Sequence, residues 1–245
     1  MTSRALTFEG ATNFRDLGGY RTRDDRRTRW RRLYRSDALQ ALTDSDLDRF
    51  RTLAVSTVID LRSADEITYA GRGLLAGEGL RLVNFTVGVH GIDATRPPSP
   101  LDPSYLVGRY LEYLDGGGEA VAAALREVSE LGEGAGVINC FMGKDRTGVV
   151  CALLLGCLEV ERDEIVADYA ASNERVAQLV TRLALDERYR DAIARTDPVV
   201  LAARPETMEQ FLDELDLRYG GAIGWARAAG LSAAVLERLR DGLLE

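Results

Sequence analysis

A cysteine and an arginine lie six positions apart in one short polar segment of this 245-residue chain. The segment, residues 139–148, reads Asn-Cys-Phe-Met-Gly-Lys-Asp-Arg-Thr-Gly and follows an apolar run at 136–138. That run predicts the end of a buried strand, and the apolar stretch 149–158 predicts a helix. Cys140 would then follow a strand, and Arg146 would stand at a helix start. Such a loop can bind a dianion, because backbone N–H groups and the helix N-terminus attract the anion while the arginine binds two of its oxygens.

The same positive field favours the thiolate form of Cys140, and a thiolate beneath a bound phosphate is a nucleophile for phosphorus. Gly143 lets the backbone approach a ligand closely. Thr147 can cap the helix and donate a hydrogen bond to the thiolate. Lys144 is the only lysine in the chain, so it adds an ammonium to a loop in a protein that otherwise uses arginine. The alternative explanation of this pattern is a buried cysteine that ends a strand before an ordinary helix.

The motif Cys-x5-Arg-Thr-Gly resembles the signature loop of cysteine-dependent phosphatases. The fuller string from Cys140 to Gly148 resembles that of bacterial tyrosine-protein phosphatases of dual or lipid specificity. The similarity to this family extends to four other segments: residues 13–20, 33–39, 58–62 and 205–239. The resemblance therefore implies a single phosphatase domain over residues 1–245 and a cysteine-phosphatase-like fold.

The resemblance implies hydrolysis of phosphomonoesters through a cysteinyl-phosphate intermediate. Cys140 would attack phosphorus, and Arg146 would bind two equatorial oxygens and stabilise the transition state. Asp145 would protonate the leaving oxygen. Asp60, which ends a predicted strand, is the alternative, either as the acid or as the residue that orients Arg146. The remaining loop residues are expected to bind phosphate: Phe141, Met142, Gly143, Lys144 and Thr147.

Asn139 departs from the family pattern, in which a histidine precedes the nucleophile. Asparagine can donate a hydrogen bond but cannot carry a positive charge, so we expect it to support the Cys140 thiolate less strongly. A neutral replacement with unchanged activity is the alternative. Arg15, in the first family-like segment, is a further candidate for a supporting role, and Arg35 is expected to face inward.

The chemistry of the loop leaves the substrate open, because the pocket walls decide specificity. The resemblance implies broad activity toward phosphotyrosine, phosphoserine and phosphoinositides, with Lys144 as a second cation in the site. One alternative is a small-molecule phosphatase that acts on sugar or nucleotide phosphates. Another is a pseudophosphatase that binds phosphorylated partners without hydrolysis. Phe141 and Met142 would either narrow the floor of the site or pack behind it.

Composition argues against several other classes of protein. A net charge of −8 argues against nucleic-acid binding. His90 is the only histidine, which rules out a two-histidine metal site, and we expect neither a metal nor a cofactor. Residues 1–13 carry no apolar run typical of a signal peptide, and no apolar run is long enough to span a bilayer. Three cysteines, one of them a required thiolate, suit a reducing cytoplasm, where we expect this protein.

Charge is concentrated in residues 21–35, which hold eight arginines. A solvated hairpin explains this segment most simply. The alternative is a basic rim that attracts anionic substrates or an anionic membrane surface.

The order of predicted elements indicates an α/β fold, in which helices flank a central, mostly parallel sheet and the C-terminal half is helical. Strands are predicted at 56–61, 81–86 and 136–139. The anion site would lie at the carboxyl end of a strand, as is general for open α/β sheets. Helices are predicted at 43–54, with Thr43 and Asp46 forming a capping box, and over eight further segments: 64–70, 104–115, 118–131, 147–158, 162–171, 173–185, 205–218 and 232–243.

Overall fold

The computed structural model describes residues 3–88, 104–185, 190–191, 193–194 and 198–245, so His90 lies outside the described residues. The described part contains a five-stranded sheet with the order β1-β2-β5-β3-β4. Only the β1–β2 pair is antiparallel, which confirms the prediction of a mostly parallel sheet. The strands are β1 at Arg15–Asp16, β2 at Leu33–Ser36, β3 at Val55–Asp60, β4 at Arg81–Asn84 and β5 at Ala135–Asn139.

Helices flank this sheet, and after β5 the described chain is helical, as predicted. Thr43 caps the first helix, and its capping box with Asp46 is present. Among the described helices, none combines the length and the apolar character that crossing a bilayer requires. The helices are α1 at Asp44–Arg51, α2 at Ala64–Ala70, α3 at Ser104–Asp115, α4 at Gly118–Ser129, α5 at Asp145–Cys157, α6 at Arg162–Ala170, α7 at Ser172–Leu185, α8 at Pro198–Leu201, α9 at Pro205–Tyr219, α10 at Ala222–Ala228 and α11 at Ala233–Leu243, with a 3-10 turn at Gly73–Gly77.

The sheet separates two hydrophobic clusters because successive side chains of a strand point to opposite faces. Val137 belongs to the cluster formed with α1 and the N-terminal segment. Its neighbour Ile138 belongs to the larger cluster formed with the helices of the C-terminal half. Helix α5 lies inside this larger cluster and is buried along most of its length. Cys151 and Cys157, both on α5, are core residues.

The parallel strands place their carboxyl ends side by side at one edge of the sheet. Asn139, the last residue of β5, is in register with Ser36 at the end of β2 and with Asp60 at the end of β3. Cys140 follows directly, so the segments that leave β2 and β3 are its neighbours. The sequence rule for open α/β sheets therefore predicted the correct edge.

The arginine-rich segment lies at the other end of the strands. Arg21 and Arg27 form an antiparallel bridge with each other, and Thr28 bridges to Leu244 near the C-terminus. Because this hairpin precedes β2, it adjoins the amino ends of the parallel strands, away from Cys140. The geometry favours the solvated hairpin over a basic rim at the pocket mouth. Arg35, by contrast, is completely buried, as expected.

Candidate active site

The segment between β5 and α5 holds the two residues singled out by the sequence. Cys140 is 2% exposed at the end of β5. Helix α5 begins at Asp145, so Arg146 lies in its first turn. The N-cap position is Lys144, without a side-chain capping bond, so the expectation that Thr147 caps this helix is wrong. The Thr147 hydroxyl is buried and has no hydrogen-bond partner among the described residues.

The carbonyls of this loop are bound from the side of the N-terminal motifs. The Asn13 side-chain amide donates to the carbonyls of Met142 at 3.3 Å and Gly143 at 3.0 Å. The Arg35 guanidinium donates to the Gly143 carbonyl at 2.8 Å. In a trans peptide the C=O and the following N–H point in opposite directions. Binding the carbonyls on one side therefore turns the N–H groups of residues 143 and 144 to the other side, where an anion can accept them.

Gly143 has the backbone conformation that only glycine adopts without strain. Its φ is +65°, in the left-handed region that disfavours residues with a Cβ. A Cβ at this position would lie 2.5 Å from the Asp37 nitrogen and 2.6 Å from the Ser36 carbonyl carbon. The loop can lie against the chain that leaves β2 only because this side chain is missing.

Asp168 on α6 anchors the residues that bind the loop. It accepts from Arg15 at 2.8 Å and from the Tyr20 hydroxyl at 2.9 Å, and it also pairs with Arg35. Burial alone would raise the pKa of Asp168, but Arg15 and Arg35 hold it far below its ordinary value. Arg15 also donates to the Asn13 side-chain oxygen at 2.5 Å. Arg15 thus contacts Asn13 and Asp168 behind the loop, so its support for the loop acts through these two residues.

Arg146 is held by a carboxylate that the sequence had not suggested. Its two terminal nitrogens donate to the oxygens of Glu66 at 2.5 and 2.7 Å. Glu66 also accepts a hydrogen bond from the Ser63 backbone N–H at 2.7 Å, and this bond is one half of the capping box at the start of α2. Burial alone would lower the pKa of Arg146, but the hydrogen bonds to Glu66 and the nearby Cys140 raise it above its ordinary value. The guanidinium therefore stays charged beside Cys140.

Asp60 does not orient Arg146 in this structure, because its partner is Arg62. The Arg62 guanidinium donates to one Asp60 oxygen at 3.0 Å and to the other at 2.8 Å. The Asn139 amide lies 3.4 Å from Asp60, and the Asn139 side-chain oxygen is buried without a partner among the described residues. Since Arg62 occupies both oxygens of Asp60, neither is free to pass a proton to a leaving group. This geometry favours Asp145 over Asp60 as the acid.

Asp145 and Lys144 interact with each other and with two elements outside the loop. One Asp145 oxygen, Oδ1, accepts from the Tyr110 hydroxyl at 2.6 Å and lies 3.1 Å from the Lys144 ammonium. Lys144 is 1% exposed. Its ammonium also donates to the carbonyls of Val200 and Ala202, at and just after the end of α8. In this structure the ammonium is therefore bound by protein atoms.

Phe141 and Met142 pack against α7. Met142 forms a hydrophobic cluster with Val176 and Leu179, and Phe141 packs on the same cluster. We expected these side chains either to narrow the floor of the site or to pack behind it, and this arrangement agrees with the second expectation. Their remaining contribution to phosphate binding would be through backbone N–H groups.

Several residues of the site carried only a partial signal in the sequence, or none. Asn13 and Arg35 lie in family-like segments, although their contact with loop carbonyls could not be deduced from those segments. Glu66 stands three residues after Ser63, a spacing that indicates a helix start but not a contact with an arginine. Asp168 lies within a predicted helix and had no distinguishing pattern.

Comparisons with known proteins agree on one family. The sequence model of the tyrosine phosphatase family matches residues 6–245. The triple specificity protein phosphatase PtpB of Mycobacterium tuberculosis is 32% identical in an alignment 273 residues long, which covers 96% of this chain and 97% of that protein. A candidate tyrosine-protein phosphatase of Cupriavidus necator is 32% identical, with 91% of this chain and 83% of that protein covered. A tyrosine-protein phosphatase of Nostoc commune is 27% identical, with 84% and 72% covered.

Proposed function

Since the chain belongs to the tyrosine phosphatase family and is a phosphoric monoester hydrolase, we propose that it acts through a cysteinyl-phosphate intermediate on Cys140. One observation carries this proposal: Cys140 and Arg146 flank a loop whose carbonyls at 142 and 143 are bound from behind. Backbone N–H groups and a charged guanidinium then remain for the oxygens of a phosphate.

The proposed reaction has two steps. In the first, the Cys140 sulfur attacks phosphorus in line, the bond from phosphorus to the leaving oxygen breaks, and Asp145 gives that oxygen a proton. Arg146 and the loop N–H groups bind the non-bridging oxygens, whose charge they stabilise in the transition state. In the second step, water attacks phosphorus, Asp145 takes up a proton from that water, and the sulfur–phosphorus bond breaks.

The assignment of Asp145 as the acid is tested by the dependence of rate on the leaving group. General acid catalysis is worth roughly 10²–10⁴-fold, and it matters most when the departing oxygen is strongly basic. Asp145→Asn should therefore lower kcat/KM for phenyl phosphate much more than for p-nitrophenyl phosphate, whose leaving group is weakly basic. Equal losses on the two substrates would instead favour Asp60. Asp60→Asn, which disturbs the pair with Arg62, should reduce stability without a leaving-group preference.

The proposed substrates are phosphorylated proteins and lipids, with activity toward phosphotyrosine, phosphoserine and phosphoinositides. The support is the relative in Mycobacterium tuberculosis, which is named a triple specificity phosphatase and matches along almost its whole length. Purified protein should be assayed on phosphotyrosine and phosphoserine peptides, phosphoinositides, and sugar and nucleotide phosphates, and ranked by kcat/KM. A sugar or nucleotide phosphate ranked first would replace this proposal with a small-molecule phosphatase.

The covalent step is tested with two separate variants, each of which replaces one cysteine sulfur with oxygen. Cys140→Ser should abolish turnover of p-nitrophenyl phosphate and still bind inorganic phosphate. Cys157→Ser is the matched control, since Cys157 is a buried thiol at the end of α5 that packs in the hydrophobic core and donates a hydrogen bond to the Ala222 carbonyl, and it should retain turnover. Turnover that survives in Cys140→Ser would overturn the mechanism. Phosphate binding without any turnover in the wild type would make the protein a pseudophosphatase.

A further inference from the structure

Two buried tyrosines form a hydrogen-bonded chain that ends on Asp145. Tyr110 lies on α3 and Tyr169 on α6, and their hydroxyl oxygens are 2.7 Å apart. The Tyr110 hydroxyl donates to Asp145 Oδ1 at 2.6 Å. A hydroxyl has one proton to donate. Since Tyr110 gives its proton to Asp145, Tyr169 must be the donor to Tyr110, and the chain runs from Tyr169 through Tyr110 to Asp145.

The position of the Tyr110 hydroxyl is fixed by the packing of its ring. The ring meets those of Tyr169 and Phe211 edge to face, with centroids 6.1 and 5.9 Å away, and stacks on Tyr113 at 6.0 Å. Three helices, α3, α6 and α9, therefore hold one phenol against the first residue of α5. Burial, reinforced by the Asp145 charge, raises the pKa of Tyr110 well above its ordinary value, so the hydroxyl stays a donor at every working pH.

The two oxygens of Asp145 have different surroundings. Oδ1 accepts from Tyr110 and lies 3.1 Å from the Lys144 ammonium. Oδ2 has no partner among the contacts of the described residues, and 28% of the side chain is exposed. With Oδ1 facing two donors, a proton carried by Asp145 belongs on Oδ2.

We propose that Tyr110, supported by Tyr169, is a positioning residue that holds Asp145 Oδ1 so that Oδ2 delivers the proton to the leaving oxygen. This inference rests on the proposed function, in which Asp145 is the acid. The proton moves from Oδ2 to the leaving oxygen as the phosphorus–oxygen bond breaks. The carboxylate that remains keeps Tyr110 and Lys144 as donors to Oδ1, and Oδ2 accepts a proton from water in the second step.

Tyr110→Phe tests the proposal, because it removes the hydroxyl and keeps the ring. We expect kcat/KM for phenyl phosphate to fall about tenfold, a part of the full effect of general acid catalysis, and kcat/KM for p-nitrophenyl phosphate to change less than about twofold. Tyr169→Phe should give a smaller loss with the same preference. The matched control is Tyr34→Phe, which removes a buried hydroxyl that has no partner among the described residues, and both substrates should then be unaffected.

A double-mutant cycle separates positioning from general damage. In an Asp145→Asn background, Tyr110→Phe should cause no further loss on phenyl phosphate, because the proton donor is already absent. The inhibition constant of inorganic phosphate should stay at the wild-type value in Tyr110→Phe, which shows that the folded loop is intact. Equal losses on both substrates, or losses that multiply with those of Asp145→Asn, would overturn the role of Tyr110.

The outcomes also distinguish this inference from the proposed function. Turnover that persists in Cys140→Ser would refute the cysteinyl-phosphate mechanism, whatever Tyr110→Phe does. An inactive Cys140→Ser together with a Tyr110→Phe variant of wild-type leaving-group dependence would leave the mechanism standing and refute only the positioning role.

Discussion

Glu66→Gln removes the charge that faces the guanidinium of Arg146 and changes the size of the side chain little. Glu66 and Arg146 are joined by two hydrogen bonds of 2.5 and 2.7 Å, and their side chains are only 19% and 13% exposed. The amide keeps one acceptor oxygen but turns an NH₂ group toward a group that can only donate. One charge-assisted hydrogen bond of the pair is therefore lost, and Arg146 is no longer held at both terminal nitrogens.

The expected size of the effect follows from that one bond. A hydrogen bond to a charged group contributes roughly 1.5–3 kcal/mol, and the low exposure of this pair keeps most of that value. If about 2 kcal/mol of it is felt in the transition state, kcat/KM falls about thirtyfold, because about 1.4 kcal/mol corresponds to a factor of ten. The loss should be similar for phenyl and p-nitrophenyl phosphate, since in the proposed mechanism Arg146 binds the non-bridging phosphate oxygens and not the leaving group.

The assay needs a control for the second role of Glu66, which is to cap α2. Ser63→Ala removes the other half of the capping box, the bond from the Glu66 N–H to the Ser63 hydroxyl, and leaves Arg146 untouched. Loss of an N-cap costs about 1 kcal/mol of stability, so Ser63→Ala should lower Tm and preserve kcat/KM. Steady-state kinetics and thermal unfolding of both variants separate the two roles.

Three results would refute the reasoning about Glu66. If kcat/KM of Glu66→Gln stays within about twofold of the wild type, the position of Arg146 does not depend on the carboxylate. If kcat/KM rises, Glu66 competes with phosphate for the guanidinium, and the pair is an obstacle to binding instead of a support. A loss that Ser63→Ala reproduces in full would assign the effect to helix α2.

Three further predictions concern the loop and its anchor. Asp168→Asn should lower the free energy of unfolding by about 3–5 kcal/mol, because two buried guanidinium groups lose their carboxylate, whereas Asp163→Asn on the exposed face of α6 should stay within about 0.5 kcal/mol in urea titrations. The pKa of Asp168 is lowered on folding. The stability that its ionised form contributes is therefore complete at pH values above its ordinary pKa of about 4, and it is lost as the pH falls below that value. Gly143→Ala should reduce kcat/KM by at least about tenfold, as its Cβ would meet the backbone that follows β2; wild-type kinetics would contradict this. Asn139→His should raise the rate of Cys140 alkylation by iodoacetamide up to about tenfold, the equivalent of about 1.4 kcal/mol, and an unchanged rate would mean that asparagine is a neutral replacement.

The local part of this structure could be predicted because its signals are local. The apolar run before Cys140 and the apolar stretch after Thr147 correctly placed a strand and a helix around the loop, and the capping box at Thr43 placed the start of α1. The strand β2 had no such signal. Its four residues are Leu-Tyr-Arg-Ser, all buried, and a buried arginine breaks any apolar pattern by which a strand is predicted.

The partners of Arg146 and Arg35 could not be predicted, because each of these two pairs joins distant parts of the chain. Arg146 and Glu66 are 80 positions apart, and Arg35 and Asp168 are 133 apart. Asp60 was a reasonable candidate to orient Arg146, because β3 ends at Asp60 and the loop that leads to Arg146 begins at the neighbouring end of β5. In the structure Asp60 pairs instead with Arg62, two residues away. The spacing of these two residues alone could have suggested this local pair.

The buried charges around the loop explain why its residues could be identified while its conformation could not. A buried ion pair contributes little net stability, because the cost of removing both charges from water offsets most of their attraction. Breaking one is nevertheless costly, so Asp168 together with Arg15 and Arg35 allows few alternative arrangements of the loop carbonyls. The N–H groups that we propose to bind phosphate thus owe their direction to residues on the opposite side of the loop. If this reasoning holds, variants of Asp168 that still fold should lose affinity for inorganic phosphate even though Cys140 and Arg146 are intact.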